Sequence, residues 1–334
     1  LYCFYAKIAR MAIKDPVIII GCPRSGTTML FNILNQSKEL FTLYRESWNV
    51  IKGAYHKGLL NPIAIDDSLT VGDMTPELKE YLLDQFNKYS VNNEALSYWI
   101  INHLKIRGLT HHLPIPNPLV TPLKLWNAFV KDVFVGDYRL LEKTPRNCFR
   151  VAFMNQLFPD AKFVFIQREA NANISSLMEG WRKNASWINH QRFPELDDSD
   201  FAMSNFEYKK WEYVLPPGWR EFNAKSLEET CAHQWIQSNS YALRELDQLD
   251  QSRVIKIKYE DLVADPATTV KSITDFIEVP YEGKLKQYAE KPPVVSSSMF
   301  EKPREDKWKK NQEALERIQP VIARSASDVA IQTR

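Results

Sequence analysis

Residues 16–28 read PVIIIGCPRSGTT, and this stretch decides the fold. The run at 17–20 is short, β-branched and uninterrupted, which is typical of a strand buried on both faces of a parallel sheet. Gly21 and Gly26 then bound a turn, and apolar residues resume helical spacing over 25–34. A strand, a glycine-bounded loop and a helix in this order predict an anion site, because unpaired N–H groups and the helix dipole both favour negative charge there.

The loop has the G-x-x-x-x-G spacing of a nucleotide-binding P-loop, but Thr27 stands where such a loop carries its lysine. The nearest cation is Arg24, inside the loop. No predicted strand obviously ends in an acidic residue placed to hold Mg²⁺. The pattern therefore argues against an ATPase, a GTPase or an ordinary kinase. A Gly-Ser-Thr turn that merely caps a helix is the plainer alternative.

Strand and helix patterns alternate along the rest of the chain, which favours a parallel sheet covered by helices on both faces. The sequence predicts an α/β fold with a P-loop-type central parallel sheet, as a single domain over 1–334 with its core at about 14–320. The expected strands are 16–21, 138–142, 161–167 and 253–259, and the expected helices are 25–34, 76–89, 146–157, 170–181, 227–249 and 266–277.

Two segments fall outside this alternation, at about 90–136 and 182–225. The first is rich in proline near its middle, and the second holds nine aromatic residues. Both are predicted to be helical or aromatic-rich insertions that form a cap. Such a cap either packs on the sheet or forms a lid that binds an acceptor substrate, because large insertions in such folds often carry specificity.

Composition excludes several classes of protein. The chain has 43 Lys+Arg and 41 Asp+Glu, a net charge of +2, which gives no support for nucleic-acid binding. Its 44% hydrophobic and 25% charged residues exclude disorder as the main state. Four scattered cysteines disfavour a disulfide scaffold and a cysteine zinc site.

No apolar run is long enough to span a membrane, and a cytoplasmic location is expected. The chain begins at Leu1, so a Golgi-lumenal or membrane-anchored protein is the alternative if an N-terminal segment has been removed.

The element PRSGTT after a buried strand resembles the 5′-phosphosulfate loop of the sulfotransferases. These enzymes use 3′-phosphoadenosine 5′-phosphosulfate (PAPS), release 3′-phosphoadenosine 5′-phosphate (PAP), and need no metal. The arginine-bearing form is similar to the bacterial and tyrosylprotein members. The resemblance implies that the 5′-phosphate and sulfate are bound by Arg24, Ser25, Gly26, Thr27 and Thr28.

A second motif resembles the 3′-phosphate site of the same family. Arg168 ends the predicted strand AKFVFIQ, and Ser176 follows eight residues later on the next helix. An arginine suits this place because its forked guanidinium is a permanent cation that matches a phosphate dianion. Ser175 is a rival, and the family's spacing favours Ser176.

Weaker resemblances extend the predicted donor site. Lys143, in EKTPRN at 142–147, matches a lysine that contacts the sulfate and the bridging oxygen in the tyrosylprotein enzymes. Tyr259 follows a late strand and is expected near the nucleotide. A basic loop that covers the nucleotide in the family would here include Ser297, Lys302 and Lys307, although the Arg-Lys-Gly of the cytosolic members is missing.

The resemblance also implies a glutamate as the general base, shortly after the first helix. Glu46, in YRESW at 44–48, fits that place, although Arg45 is an alternative partner for its carboxylate. His111 and His112 are rival bases.

Together these motifs predict a PAPS-dependent O-sulfotransferase acting on a small molecule, a glycan or a tyrosine. A P-loop nucleotide kinase and a non-catalytic nucleotide-binding module are the alternatives. A hydroxyl-bearing acceptor is the expected partner, and a homodimer is left open.

Overall fold

A computed structural model describes residues 12–43, 46–61, 66–92, 137–184, 201–207, 211–291 and 305–325. Within these ranges one sheet has six strands, in the order β3-β2-β4-β1-β5-β6. The strands are β1 (Val17–Ile20), β2 (Leu40–Leu43), β3 (Ser90–Asn92), β4 (Arg139–Lys143), β5 (Lys162–Gln167) and β6 (Val254–Lys258).

Five of these strands are parallel, as the alternation of strands and helices predicts. Val17 of β1 lies opposite Leu141 of β4 on one side and Lys162 of β5 on the other. β3 pairs with β2 in the antiparallel sense and closes one edge. The sequence analysis did not predict β2 or β3, because neither the LFTL of β2 nor the SVN of β3 has a distinctive strand pattern.

Ten α-helices lie in the described ranges: α1 (Thr27–Leu34), α2 (Trp48–His56), α3 (Pro76–Tyr89), α4 (Val151–Leu157), α5 (Ala170–Asn184), α6 (Leu227–Leu246), α7 (Tyr259–Ala264), α8 (Pro266–Ile277), α9 (Gly283–Ala289) and α10 (Gln312–Arg324). Helices α3 and α8 have the predicted bounds. The side chain of Thr75 caps α3 by accepting a hydrogen bond from the N–H of Leu78. None of the described helices is both long enough and apolar enough to cross a bilayer.

Four predicted helices have other bounds in the structure. The helix expected over 25–34 begins at Thr27, and the helix expected over 170–181 continues to Asn184. The helix expected over 146–157 is divided into a 3₁₀ turn, Pro145–Phe149, and α4. The break falls at Arg150, whose φ of −143° lies outside the helical region and whose side chain enters a buried ion pair. The helix expected over 227–249 ends at Leu246.

Strand β1 is fully buried and divides the core in two. Ile18 and Ile20 face one hydrophobic cluster, and Val17 and Ile19 face the other, because side chains alternate across a strand. Residues of α4, α5 and α6 contribute to the first cluster, and residues of α1 and α8 contribute to the second. Helices therefore cover both faces of the sheet, which confirms the predicted α/β class.

Part of the aromatic-rich segment lies within the described residues. Phe201, Trp211 and Trp219 are buried and pack on one another with ring centroids 5.0 to 6.0 Å apart. Trp211 also lies 5.7 Å from Trp181 of α5. These three rings therefore contribute to the core. Most of the other predicted insertion, 90–136, lies outside the described residues.

A buried ion network fastens residues 66–69 to the body of the protein. The Asp67 carboxylate accepts hydrogen bonds from Arg146 at 2.6 Å, from Arg150 at 3.3 Å and from the N–H of Leu215 at 2.7 Å. Asp67 and Arg150 are fully buried, and burial lowers the pKa of Arg150. The Arg146 guanidinium lies 4.4 Å from the Trp48 ring.

We expect Asp67→Ala to lower the free energy of unfolding by about 3–5 kcal/mol, because it leaves Arg150 as a buried charge without its partner. Urea denaturation measures this loss. Asp66→Ala is the control: the adjacent carboxylate bonds only to Ser68, so a loss of about 1 kcal/mol or less is expected. Equal losses in the two variants would contradict this account.

Candidate active site

The carboxyl ends of the parallel strands bring the predicted site residues to one edge of the sheet. Gly21 directly follows β1, Arg168 follows β5, and Tyr259 follows β6. Lys143 is the last residue of β4. Glu46 comes shortly after β2, which runs parallel to β4. Ligands of open α/β sheets bind outside this edge.

The loop between β1 and α1 has a tightly constrained backbone. Arg24 and Gly26 both have positive φ, at 70° and 100°. A Cβ atom on Gly21 would lie 2.7 Å from the carbonyl oxygen of Ile166, so only glycine fits against β5. Helix α1 begins at Thr27, and no side chain caps it. Its first N–H groups are therefore available to a ligand, which is the arrangement that the predicted anion site requires.

Two of the residues predicted to bind the anion have a buried polar atom that lacks a hydrogen-bond partner within the described part of the chain. These atoms are Ser25 Oγ and Arg168 Nε. A buried polar atom without a partner costs about 1–3 kcal/mol unless another group satisfies it. Both atoms belong to the residues predicted to bind phosphate or sulfate, so an anionic ligand is a suitable partner for them.

The two predicted phosphate motifs are in direct contact. Arg24 Nε donates a hydrogen bond to Ser176 Oγ at 3.3 Å, and Arg168 Nη1 donates to the carbonyl oxygen of Arg24 at 3.1 Å. Ser175 instead accepts a hydrogen bond at 2.8 Å from Asn311 Nδ2, on the C-terminal segment. Ser176 is therefore the serine that faces the loop.

Asn173 also supports the loop, and the sequence analysis did not include it in the site. It is fully buried on α5, and its Nδ2 donates a hydrogen bond to the carbonyl oxygen of Pro23 at 2.9 Å. The available signal was its position three residues before Ser176, which places both residues on one helix face.

Tyr259 connects the end of β6 to both motifs. Its ring lies 4.6 Å from the Arg168 guanidinium, and the two groups form a cation–π contact. A Cβ atom on Gly26 would lie 2.3 Å from Tyr259 Cδ2, so the ring also packs against the loop. Burial raises the pKa of Tyr259, which stays a neutral phenol at neutral pH. Burial lowers the pKa of Arg168, but a guanidinium remains charged there.

Lys143 and Glu46 form an ion pair at the end of β4. Lys143 Nζ lies 2.5 Å from Glu46 Oε1, and the two side chains are 10% and 34% exposed. The lysine is therefore largely shielded from water, while the carboxylate is still accessible. Glu46 Oε2 forms no hydrogen bond within the described residues.

A buried hydrogen-bond network lies directly beneath this ion pair. Thr144 Oγ1 donates to Glu142 Oε1 at 2.6 Å and accepts from the N–H of Ser47 at 2.9 Å. Asn147 Nδ2 donates to the other oxygen of Glu142 at 2.6 Å. Burial raises the pKa of Glu142. Of the residues in the EKTPRN motif, only Lys143 was predicted to belong to the site, and the sequence did not reveal this network.

The remaining predicted residues are only partly described. Ser297, Lys302, Arg45, His111 and His112 lie outside the described residues.

Lys307 lies half-buried in the 3₁₀ turn Glu305–Asn311. This turn is fixed to α5 by Asn311 and by a 2.8 Å ion pair between Lys310 and Glu179.

No group of three or more His, Cys, Asp or Glu side chains in the described ranges could hold a metal ion. The expectation that no metal is needed stays a prediction.

We expect Gly26→Ala to destabilise the protein more than Gly58→Ala. Both glycines have positive φ, but a Cβ on Gly58 would meet nothing within 4 Å, so Gly58→Ala isolates the backbone strain of about 1 kcal/mol. Gly26→Ala adds a clash with Tyr259, which should cost about 1–3 kcal/mol more. Urea denaturation measures both losses. Adding Tyr259→Ala should relieve the extra cost at Gly26 only, and the absence of such coupling would contradict the packing described.

Comparison with known proteins agrees with this arrangement. The sequence model of the sulfotransferase family matches residues 16–216 and 202–283. Carbohydrate sulfotransferase 2 of Homo sapiens is 24% identical over an alignment 308 residues long, which covers 83% of this chain and 55% of that protein. Protein-tyrosine sulfotransferase A of Caenorhabditis elegans is 20% identical over 163 residues, 48% of this chain and 33% of that protein.

The chain therefore spans about half the length of one curated relative and a third of the other. Among solved structures, the sulfotransferase domain from the curacin biosynthetic pathway aligns with 97% of this chain and 100% of its own, at 16% identity and a TM-score of 0.49. The family match covers well over half of the sequence, from the strand before the phosphate loop to beyond α8. The chain belongs to the sulfotransferase family.

Proposed function

We propose that this protein transfers the sulfuryl group of PAPS to a hydroxyl group of an acceptor. The observation that carries the proposal is the contact between the two anion-binding motifs, from Arg24 to Ser176 and from Arg168 to the Arg24 carbonyl. A donor with a phosphosulfate at one end of its ribose and a phosphate on the other side needs two such motifs close together. An ordinary mononucleotide needs only the first.

The residues at this edge suit that donor. The start of α1 and the Arg24 guanidinium would bind the 5′-phosphosulfate, while Arg168 and Ser176 would bind the 3′-phosphate. Ser25 Oγ and Arg168 Nε, both buried without partners in the described residues, would gain hydrogen bonds from these anions. PAPS supplies an activated sulfuryl group whose leaving group is a phosphate.

Positive charge at the strand ends supports the transfer. By analogy with phosphoryl transfer, positioning and charge stabilisation dominate the rate. Arg24 and Lys143 are the cations placed to stabilise charge on the sulfate oxygens and on the leaving phosphate. Lys143 is only 10% exposed, so its charge acts with little screening by water.

Glu46 is our proposed general base. Its Oε1 bonds to Lys143, and its Oε2 is left to accept the proton of the acceptor hydroxyl. With 34% of its side chain exposed, the carboxylate is accessible to a substrate that approaches from outside. A base must come within hydrogen-bond distance of the proton that it removes, and the accessibility of this carboxylate supports the proposal that an acceptor hydroxyl can come that close.

The acceptor is proposed only as a hydroxyl compound. One curated relative is named for carbohydrate and the other for protein tyrosine, and both are hydroxyl-bearing acceptors. The cytoplasmic location and the homodimer stay predictions from the sequence.

The first test is calorimetric titration with PAP, with its analogue lacking the 3′-phosphate, and with ATP plus magnesium. We expect tight binding of PAP that needs the 3′-phosphate and does not need magnesium. Arg168→Ala should weaken PAP binding by about 10- to 100-fold, because hydrogen bonds to a charged phosphate are lost, and should hardly affect the analogue. Arg253→Ala is the control, since this arginine precedes the amino end of β6 and bonds to Asn155 and Pro159, whereas the site lies at the carboxyl ends of the strands.

Each other outcome of the titration contradicts the proposal in a different way. If Arg168→Ala lost the same affinity for PAP and for the analogue, Arg168 would not bind the 3′-phosphate. Preference for ATP with magnesium would favour a nucleotide kinase, and binding of none of these compounds would favour a non-catalytic module.

The second test is Glu46→Gln. We expect turnover to fall about 10²-fold or more, because the neutral amide cannot take the proton, while PAP affinity stays close to that of the wild type, because the residues proposed to bind the phosphates are unchanged. Glu278→Gln is the control, since Glu278 pairs with Lys162 at the amino end of β5, away from the site. Normal turnover in Glu46→Gln would exclude Glu46 as the base and bring His111 and His112 forward.

A further inference from the structure

We propose that the buried hydroxyl of Thr144 is a positioning group, which keeps Glu46 Oε1 within hydrogen-bond distance of Lys143 Nζ. This inference rests on the proposed function for its catalytic meaning, but its structural part can be tested without activity. It assigns a role to the network of Ser47, Thr144, Glu142 and Asn147, which we call the buried network.

The buried network joins the two chain segments that carry the ion pair. Thr144 directly follows Lys143, and Ser47 directly follows Glu46. Thr144 Oγ1 lies 2.9 Å from the Ser47 nitrogen and 3.0 Å from Ser47 Oγ. Each charged residue is therefore one peptide unit away from this junction, although the two segments are 97 residues apart in sequence.

One buried hydroxyl connects Ser47 to Glu142. A hydroxyl has one proton to donate and two lone pairs that accept. Thr144 Oγ1 accepts from the N–H of Ser47 at 2.9 Å and donates to Glu142 Oε1 at 2.6 Å, while the Ser47 hydroxyl is shared between Thr144, at 3.0 Å, and Glu142. Asn147 holds the other oxygen of Glu142 at 2.6 Å, and the carboxylate is thereby held on both sides.

Burial makes this arrangement rigid. Thr144, Ser47, Asn147 and Glu142 are all at most 2% exposed, so water does not compete for their hydrogen bonds. The ion pair itself differs, because the Glu46 side chain is 34% exposed. The exposed part of the Glu46 carboxylate is free to exchange this contact for water. The network beneath the ion pair supplies the constraint that the ion pair does not provide by itself.

The variant that tests this role is Thr144→Val, which removes the hydroxyl and keeps the shape of the side chain. It takes away the hydroxyl that binds both the Ser47 N–H and Glu142 Oε1, so the Glu46 segment should move relative to β4. A displacement of about 1 Å at a catalytic group can cost on the order of 10²-fold in rate. We expect kcat to fall about 10- to 100-fold, with PAP affinity and the KM for the acceptor little changed.

Two further variants control for the substitution itself. Thr144→Ser restores the hydroxyl and should recover most of the lost kcat. Thr42→Val makes the same chemical change on β2, opposite Leu141 of β4, at a fully buried threonine. The Thr42 hydroxyl has no hydrogen-bond partner among the described residues, so its loss should leave kcat unchanged.

The decisive measurement is the distance from Lys143 Nζ to Glu46 Oε1 in crystal structures of the three variants, together with kcat. Lengthening from 2.5 Å in Thr144→Val alone, with kcat recovered in Thr144→Ser, would establish the role. The proposal would be overturned if Thr144→Val kept this contact and had the same kcat as Thr42→Val.

If Thr144→Val does not fold, Ser47→Ala takes its place. That variant removes the hydroxyl that is shared between Thr144 and Glu142, and a smaller change in the same direction is expected. If the wild-type protein transfers no sulfuryl group, the proposed function fails, and the measured distance alone decides for or against the positioning role.

Discussion

The parallel pairing of β1 between β4 and β5 is the constraint on which the rest of the structure depends. All four residues of β1 are fully buried, and they alternate between two hydrophobic clusters. A shift of one residue would exchange the two faces of the strand, so burial on both sides fixes the register. With Ile19 opposite Lys143 and Ile20 opposite Phe165, that register sets where each neighbouring strand ends. The hydrophobic core thus determines the positions of charged groups that are not part of it.

The consequence is a concentration of positive charge that other side chains hold in place. Arg24 bonds to Ser176, Arg168 contacts Tyr259, and Lys143 pairs with Glu46. Only the last of these contacts supplies an opposite charge. Arg24 and Arg168 repel one another, and the repulsion is stronger than in water because screening is weaker. Glu169 and Glu260 offset part of this repulsion at Arg168. The donor that we propose, with a phosphate and a phosphosulfate, would add negative charge beside both arginines.

The sequence predicted those features whose signals are local. The bounds of α3 and α8 follow from Thr75 and Asp265 as caps and from a proline in the first turn of each helix. The phosphate loop was predictable for the same reason, since its glycines, its arginine and the following helix lie within a dozen residues of one another. Arg168 and Ser176 required the family resemblance, because an arginine at the end of a strand is not distinctive by itself.

The features that were missed depend on partners far away in the sequence. The predicted helix over 146–157 is broken because Arg150 bonds to Asp67, 83 residues earlier. No local sequence pattern predicts the contact between Thr144 and Ser47, which are 97 residues apart. β2 is a strand because β4 and β3 lie on either side of it. In each case the local sequence permits the conformation, and a distant contact selects it.

This difference explains why the donor is easier to infer than the acceptor. The proposed donor site consists of a loop backbone and of the residues at strand ends, and the register of a buried sheet fixes both. The segments at 90–136 and 182–225 are predicted either to pack on the sheet or to form a lid that binds the acceptor, and Phe201, Trp211 and Trp219 of the second segment lie in the core. The register of β1 does not set which side chains would contact an acceptor. An acceptor site in such insertions could therefore change without disturbing the residues that we propose to bind the donor.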